Sequence, residues 1–288
     1  MSFTQKHLQF DFSLAYGNFG SGGNSYSVKG LRAHVEIQKA GGVSLSAANI
    51  SIYGLPLSVM NQLSTFGKVL TDQGRNHITV SAWEDGQSPT VVYVGDIYTA
   101  FMEGQAQPDV SFHVEANVGL YAQAKPVQPT SQPGSQDVAA LMSTMAQKAG
   151  FAFENNGVNL KIQNPYYPGT AMQQIKALVE HAGIEHIMDN GTLSIWPAGS
   201  NRSGDPVLIS PQTGLVAYPT FNSQGIIVRT LWQPTLDFGK LIQVQSSIQP
   251  ACGTWRVYKL TYSLASETPN GPWFQDVWAG APDQTVVS

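Results

Sequence analysis

The chain has 288 residues, of which 42% are hydrophobic and only 12% are charged, about half the usual share of roughly 25%. This length predicts two or three domains, with two favoured, and excludes a small scaffold that depends on disulfides. Fifteen basic and nineteen acidic residues give a net charge of −4 without a basic cluster. DNA binding through a cationic face is therefore not expected.

Export and membrane insertion are not expected either. Cys252 is the single cysteine, so it cannot form an internal disulfide. The N-terminal sequence MSFTQKHLQFDFSL interrupts its apolar residues with Gln, His and Asp, unlike a secretory signal peptide. No stretch approaches the ~18 consecutive apolar residues of a membrane span. We expect a soluble protein, made in a reducing compartment, without a transmembrane segment.

Alternation of apolar and polar residues dominates the first third of the chain. This pattern of half-buried strands occurs at 33–37, 78–82 and 110–118, and β-rich apolar segments lie at 47–53 and 91–101. Residues 1–121 are therefore predicted to form an N-terminal antiparallel β-barrel module.

Two segments interrupt or end this β pattern. A short helix is expected near Pro56 to Phe66, because one helical face would carry Val59, Met60, Leu63 and Phe66. Residues 122–136 contain three prolines and many small polar residues, and they are interpreted as a linker.

Residues 137–199 change to a helical period. The first helix is predicted from apolar residues at 138, 141, 142 and 145, and the second from a capping box of Thr170 with Gln173. An Asn-Gly pair follows each helix, at 156–157 and at 190–191, which is typical of tight hairpin turns. This region is therefore predicted to be an inserted α+β region with two helix-hairpin units.

Residues 200–288 return to β structure. Strands are expected at 207–209, 226–231, 241–244 and 255–264, between glycines and prolines. The predicted fold class is α+β, mainly β, with two small antiparallel β-barrel modules at 1–121 and 200–288 flanking the insert.

No catalytic, cofactor-binding or metal site is predicted. His181, Glu185 and His186 fit neither H-E-x-x-H nor H-x-x-E-H, because Gly183 ends the helix between them, so solvated side chains are favoured. The glycine-rich loop 17–23 lacks the G-K-[ST] of a phosphate cradle, and a flexible loop is favoured there. Cys252 has no histidine after it in the chain, so it is interpreted as an incidental thiol.

Two further groups of residues each allow a functional interpretation and a simpler one. Five acidic residues could hold a glycosidase pair, although spacing alone cannot supply the required distance across a cleft; they are Glu84, Asp85, Asp96, Glu103 and Asp109. Seven aromatic residues of the last third suggest a sugar-binding or protein-binding surface, and the favoured explanation is core and interface packing; they are Tyr218, Trp232, Trp255, Tyr258, Tyr262, Trp273 and Trp278.

Segments 213–247 and 255–279 resemble the C-terminal β module of tailed-phage baseplate hub proteins. That family typically shows a T-G-L/M-x-x-x-P opening, an N/Q-P-x-L stretch and a V-x-x-V strand with a terminal tryptophan. Gln233-Pro234 stands where Asn-Pro is commoner. The matching positions are Thr213, Gly214, Leu215, Pro219, Gly225, Leu231, Pro234, Leu236, Gly239, Val257, Trp273 and Trp278. The N-terminal part resembles the family more loosely, through the strand at 33–37, the sequence AANISIYGL and a Y-V-G-D-I strand.

The resemblance implies a non-enzymatic homotrimer, the central hub of the baseplate. Each subunit would contribute two tail-tube-like barrels, so that a trimer forms a pseudo-sixfold ring around a channel. The ring would join a hexameric tail tube or tube-initiator protein to a trimeric tail spike protein, beside neighbouring baseplate proteins and the tape measure protein. The expected location is the virion, after synthesis in the bacterial host cytoplasm, with no sequence-specific nucleic-acid binding.

Charge is consistent with this interpretation. Interface cores are depleted in charge, and residues 1–121 carry six basic and nine acidic residues, a net charge of −3 that suits a channel for DNA. Two alternatives from other classes stay open at this point. They are a tail-tip cell-wall hydrolase and a carbohydrate-binding module that uses the C-terminal tryptophans.

Overall fold

Alternation in the first third of the chain produces a sheet of seven antiparallel strands in the computed structural model, which describes residues 4–41, 45–65, 76–105 and 109–282. The strand order is β3–β4–β7–β6–β5–β1–β2. The strands are β1 (Lys6–Ser13), β2 (Ser25–Lys29), β3 (Ala33–Ala40), β4 (Ala47–Tyr53), β5 (His77–Glu84), β6 (Thr90–Glu103) and β7 (Ser111–Asn117).

The core of this sheet follows the alternating pattern. Val35 lies opposite Ile50, and Ile50 lies opposite Val114, and all three are at most 2% exposed. Burial of such branched side chains contributes roughly 1.5–3 kcal/mol each. The five strands predicted in this third are confirmed as β3 to β7.

The first third of the chain also contains two further strands and one helix. The strands β1 and β2 were not predicted, although Leu8, Phe10 and Phe12 alternate in β1 and are 1% exposed. The predicted helix is confirmed as α1 (Leu57–Leu63), which buries Val59, Met60 and Leu63. Phe66, the fourth residue of its predicted stripe, lies outside the described residues.

The chain divides into two units. Unit 1 comprises Met1–Gln38, Ala47–Leu120 and Tyr262–Phe274, and unit 2 comprises Lys39–Ser46, Tyr121–Thr261 and Gln275–Ser288. In the described part of unit 1, β2 pairs only with β1, so no pairing closes the sheet at β2.

Unit 2 begins with a mixed α+β region. Its helices are α2 (Leu120–Ala124), α3 (Val138–Ala149) and α4 (Ala171–Ala182). Its strands are β8 (Thr130–Ser131), β9 (Ser135–Asp137), β10 (Ala152–Asn155), β11 (Lys161–Gln163), β12 (Tyr166–Tyr167), β13 (Ile184–Asp189) and β14 (Thr192–Pro197). β8 and β9 lie within the proline-rich segment 122–136 and at its end, and they pair with β12 and β11. Prolines and small polar residues there are thus compatible with short two-residue and three-residue strands.

Both predicted helices of this region are confirmed, and their ends have clear local causes. Asp137 caps α3 by accepting a hydrogen bond from the backbone N–H of Ala140 at 2.9 Å. Thr170 and Gln173 form the expected capping box of α4. Gly150 and Gly183 end the two helices in the left-handed conformation.

Loss of this cap has a predictable cost. Thr170→Ala should lower the free energy of unfolding by about 1 kcal/mol, because the N–H of Gln173 loses its acceptor. Urea denaturation followed by circular dichroism measures the change. Thr170→Ser keeps the hydroxyl and should stay within a few tenths of a kcal/mol of the native chain. Equal loss in both variants would contradict the capping role.

The first of the two predicted hairpins is wrong. β10 pairs in parallel with β14, with Ala152 opposite Thr192, whereas β11 pairs with β9. The Asn155 side chain accepts from the N–H of Val158 at 2.8 Å and donates to its carbonyl at 3.0 Å, which turns the chain away from a hairpin. The second hairpin, β13 and β14 around Asn190-Gly191, is confirmed, and both turn residues have positive φ. The region is therefore not a duplicated helix-hairpin unit.

The last third forms a further set of paired strands, most of which belongs to unit 2. Its strands are β15 (Val207–Ile209), β16 (Thr220–Asn222), β17 (Gly225–Leu231), β18 (Leu241–Val244), β19 (Gly253–Ser266) and β20 (Trp273–Gly280). They run in the order β16–β17–β20–β19, and β18 joins β19 to β15. The four strands predicted in this region are confirmed as β15, β17, β18 and β19, whereas β16 and β20 were not predicted from the pattern. Among the described residues, the structure contains no helix long and apolar enough to cross a membrane.

Candidate assembly surface

A tight turn precedes the segment that forms the outer edge of the C-terminal strands, next to β17. The Thr213 hydroxyl accepts a hydrogen bond from the N–H of Ser210 and donates one to the carbonyl of Leu208, both at 2.8 Å. The chain then runs beside β17, where Val216 donates to the carbonyl of Arg229 at 3.0 Å. This turn places segment 215–222 along the edge of the sheet.

Several residues of the hub-like motif build this edge. Gly214 has φ of 109° and lies so close to β17 that a Cβ would be 3.3 Å from the Cβ of Leu231. Gly225, with φ of 150°, lies against β20, where a Cβ would overlap the carbonyl oxygen of Ala279. Leu236 is buried at 1% exposure. The motif therefore encodes the local geometry of the edge, since only glycine satisfies both the φ value and the close approach at Gly225.

The edge itself is exposed, apolar and uncharged. Val216, Tyr218 and Phe221 are 45%, 71% and 54% exposed. All 23 residues from 206 to 228 lack a charge. Exposed apolar residues grouped in this way mark protein interaction surfaces rather than ordinary solvated surface.

A buried network of ion pairs lies elsewhere in unit 2. Lys39, which is 2% exposed, contacts Asp189 at 2.5 Å and Asp237 at 3.5 Å. Arg202 contacts Asp237 at 3.0 Å and Glu154 at 2.7 Å. These five residues come from β3, β10, β13 and two loops, so the network ties the α+β region to the C-terminal sheet within unit 2.

The network shifts the pKa values of its acids in opposite directions. Burial, which outweighs the attraction of Lys39, raises the pKa of Asp189. Burial also opposes ionisation of Asp237, but the charges of Lys39 and Arg202 outweigh it and lower the pKa of Asp237. Asp237 is thus the carboxylate that the two cations hold ionised.

A second buried cation supports the same part of unit 2. Arg256, which is 2% exposed, contacts Glu185 at 3.2 Å and donates a short hydrogen bond to the carbonyl of Ser200. Glu185 also accepts from the indole N–H of Trp196 at 2.9 Å. Glu185 therefore anchors the C-terminal sheet to β13 and β14.

The predicted description of His181, Glu185 and His186 is partly wrong. His181 is exposed, as expected, and its Nδ1 lies 2.6 Å from the Tyr167 hydroxyl. His186, however, is only 6% exposed, and burial with the nearby charge of Lys176 lowers its pKa to about 4. Glu185 is ion-paired rather than solvated. No group of three His, Cys, Asp or Glu residues that could hold a metal occurs in the described part of the chain.

The five acidic residues weighed as a glycosidase pair each have a different basic partner. Each carboxylate lies within 3.2 Å of a lysine, arginine or histidine. The pairs are Glu84 with Lys6, Asp85 with His7, Asp96 with His77, Glu103 with His113 and Asp109 with Arg32. The described contacts thus distribute these carboxylates among separate ion pairs.

The other residues that were considered as possible site residues lie in separate surroundings. Cys252 is exposed, and its thiol donates to the carbonyl of Ser246 at 3.1 Å. The loop 17–23 connects β1 to β2 and buries Phe19. Among the aromatic residues, Trp232, Tyr262 and Trp273 are buried, Trp255, Tyr258 and Trp278 are half-buried, and Tyr218 is exposed. Only Tyr218 of this group belongs to the exposed edge.

One polar cluster in unit 1 was not predicted from the sequence. The Ser51 hydroxyl lies 3.0 Å from Nδ1 of His113, and Nε2 of His113 lies 2.7 Å from Glu103 and 2.9 Å from the Ser111 hydroxyl. A hydroxyl, an imidazole and a carboxylate in this order resemble an activated nucleophile. They come from three neighbouring strands, β4, β7 and β6, so only the strand register reveals them.

Comparison with known families decides what kind of protein this is. Residues 16–271 match the model of the family described as Baseplate hub gp41. The chain belongs to this family. It is therefore a structural protein of the phage tail baseplate, a component of the virion, as the sequence resemblance implied. No curated protein matches the sequence.

Solved structures support the fold of this baseplate hub family member. The 43 kDa tail protein of prophage MuSo2 from Shewanella oneidensis matches with a TM-score of 0.61 and 10% identity, over 97% of both chains. A tail protein from Neisseria meningitidis MC58 matches with a TM-score of 0.57 and 11% identity, over 94% of this chain and 96% of that one.

A third solved structure comes from a secretion system. The E. coli c3393 protein, described as a type VI secretion component with structural similarity to the T4 bacteriophage tail proteins gp27 and gp5, has a TM-score of 0.55 at 11% identity. The match covers 88% of this chain and 74% of that one. At these identities the three likenesses establish a shared fold.

Proposed function

We propose that this chain is the central hub of a phage tail baseplate, a homotrimer that joins a hexameric tail tube to a trimeric spike. Residues 1–121 and 200–288 act as the two tube-like β modules of each subunit, separated by a linker at 122–136 and an insert at 137–199. Three chains then present six β modules in a pseudo-sixfold ring. The observation that carries this proposal is the family match over residues 16–271.

The composition and surface support an assembly role. Only 12% of the residues are charged, and an uncharged segment of unit 2 exposes Val216, Tyr218 and Phe221. Interface cores are depleted in charge and enriched in aromatic residues. The description of c3393 as a secretion component similar to the T4 bacteriophage tail proteins gp27 and gp5 agrees with a place in a tail assembly.

The mass of the purified protein tests the hub proposal. Light scattering should give three times the 31.0 kDa mass of one chain, and electron microscopy should show a ring with threefold symmetry. The trimer should co-sediment with the tube protein and with the spike protein of the same phage, whereas a tube protein of an unrelated phage serves as the control. A chain that stays monomeric at all concentrations and binds neither protein would refute the proposal.

The cluster of Ser51, His113 and Glu103 is the observation on which a competing function, that of a cell-wall hydrolase, would rest. The same cluster also has an explanation that needs no catalysis. All three side chains lie on adjacent strands of one sheet, where they form cross-strand polar contacts that stabilise pairing by themselves. We therefore propose that the protein is not an enzyme and that it needs no cofactor. Purified protein should leave peptidoglycan intact. Hydrolysis that disappears in Ser51→Ala would instead establish the enzymatic function.

A further inference from the structure

Each unit ends its sheet in a strand with only one neighbour. Within the described residues, β2 pairs only with β1 in unit 1, and β16 pairs only with β17 in unit 2. The outer backbone N–H and C=O groups of such edge strands are available to pair with another chain. Both strands are therefore open edges, as is β15, which pairs only with β18 in the part of the chain that the structure describes.

The two strands β2 and β16 together carry only one of the charges that usually protect edge strands. Residues 12–28 and residues 206–228 are two of the three longest uncharged segments of the sequence, and they contain most of β2 and all of β16. Soluble proteins commonly block edges with lysine or other charged side chains. Here Lys29 at the end of β2 is the one charged residue in the two strands.

Apolar side chains accompany both edges. Beside β16, Tyr218 and Phe221 are 71% and 54% exposed, and Tyr16, in the connection between β1 and β2, is 69% exposed. Within β2, Tyr26 and Val28 are half-buried while Ser25 and Ser27 are exposed, so the strand already has an inner and an outer face. An added strand would extend this pattern without burying a charge.

We propose that β2 of one copy pairs with β16 of the next copy, so that three copies close head to tail through strand pairing. This inference rests on the proposed trimer and names the surfaces that form it. The contact uses two different patches, which generate a closed ring when the rotation between copies is suitable. Strand addition supplies the backbone hydrogen bonds, and the exposed aromatic residues supply apolar contact.

Disulfide trapping tests the pairing directly. In a Cys252→Ser background, Ser25→Cys or Ser27→Cys is combined with Thr220→Cys or Asn222→Cys, which gives four double variants that cover both strand orientations. After oxidation, at least one double variant should give a three-chain species on a non-reducing gel. Each single variant, and Tyr98→Cys combined with Thr220→Cys, should not, because Tyr98 lies on β6 between two other strands.

Charged edges supply the second test. Ser27→Lys with Thr220→Lys should weaken trimer formation by about 100-fold or more, while the melting temperature of the diluted monomer stays unchanged. Tyr98→Lys, at a 44% exposed position, is the matched control and should leave the trimer intact. If the native chain is trimeric but these variants stay trimeric and no double variant cross-links, only this inference is wrong. If the native chain never forms a trimer, the proposed hub function fails with it.

Discussion

Lys39→Met should lower the free energy of unfolding by about 3–5 kcal/mol, the usual cost of breaking a buried ion pair by removing one partner. Lys39 is 2% exposed, and its ammonium group lies 2.5 Å from Asp189, which is 5% exposed. Removing the cation leaves a buried carboxylate beside Asp237, which is also negatively charged. Urea denaturation at pH 7 measures the loss.

Two comparisons separate the buried charge from a general effect of mutation. Asp109→Asn breaks the pair of Asp109 with Arg32, whose side chains are 66% and 40% exposed, and should cost less than about 1 kcal/mol. Lys39→Met combined with Asp189→Leu removes both charges and should recover part of the stability.

The pH dependence of Lys39→Met has a definite sign. Without Lys39 the pKa of Asp189 in the folded state rises further above its unfolded value, so the folded chain holds a proton that the unfolded chain has released. The unfolded pKa is the same in both proteins, so the deficit of the variant relative to the native chain should grow as the pH rises through the folded-state pKa of Asp189 in the native chain, where only the variant keeps its proton, and shrink in acid. A deficit that is constant with pH would contradict the electrostatic origin.

Acid should remove about 3 kcal/mol of stability through His186. Its pKa in the folded protein is lowered from 6.5 to about 4, because burial and the charge of Lys176 disfavour the imidazolium. The unfolded chain binds a proton that the folded chain rejects, so stability is lost as the pH falls below 6.5, and the loss is complete near pH 4. A difference of about 2.5 pKa units corresponds to about 3 kcal/mol.

Comparison with His186→Gln isolates this effect. Other groups titrate equally in both proteins, so the difference in unfolding free energy between the native chain and the variant should change by about 3 kcal/mol between pH 7 and pH 4. Parallel curves for the native chain and His186→Gln would show that His186 is not the group responsible.

Local signals accounted for most of the secondary structure. Alternation at 33–37 and 110–118 identified β3 and β7, and Thr170 with Gln173 identified the start of α4. The alternation of Leu8, Phe10 and Phe12 is a local signal of the same kind for β1, the strand that was not predicted. In each case the cause lies within a few residues, so the sequence displays it.

Residue spacing in the sequence could not predict which distant strands pair with each other. The Asn156-Gly157 pair resembles a hairpin turn, but φ is positive only at Gly157 of the two, and β10 pairs with β14, about forty residues away in the chain. The cluster around His113 and the network around Lys39 likewise depend on strand register and on residues far apart in sequence. The open edge at β16 can be recognised only from sequence and structure together. The sequence shows that residues 206–228 carry no charge, and the sheet shows that β16 has a single neighbouring strand.

By itself, the sequence determined the mainly β class, most strands, three helices and the resemblance to baseplate hubs, because periodicity, capping residues and motif glycines act over short distances. The tertiary structure alone decided which strands pair, which acids are held by which bases and which edges stay open. The physical reason is that a hydrogen bond or ion pair depends on distance in space, and Lys39 contacts Asp189 although the two residues lie 150 positions apart in the chain.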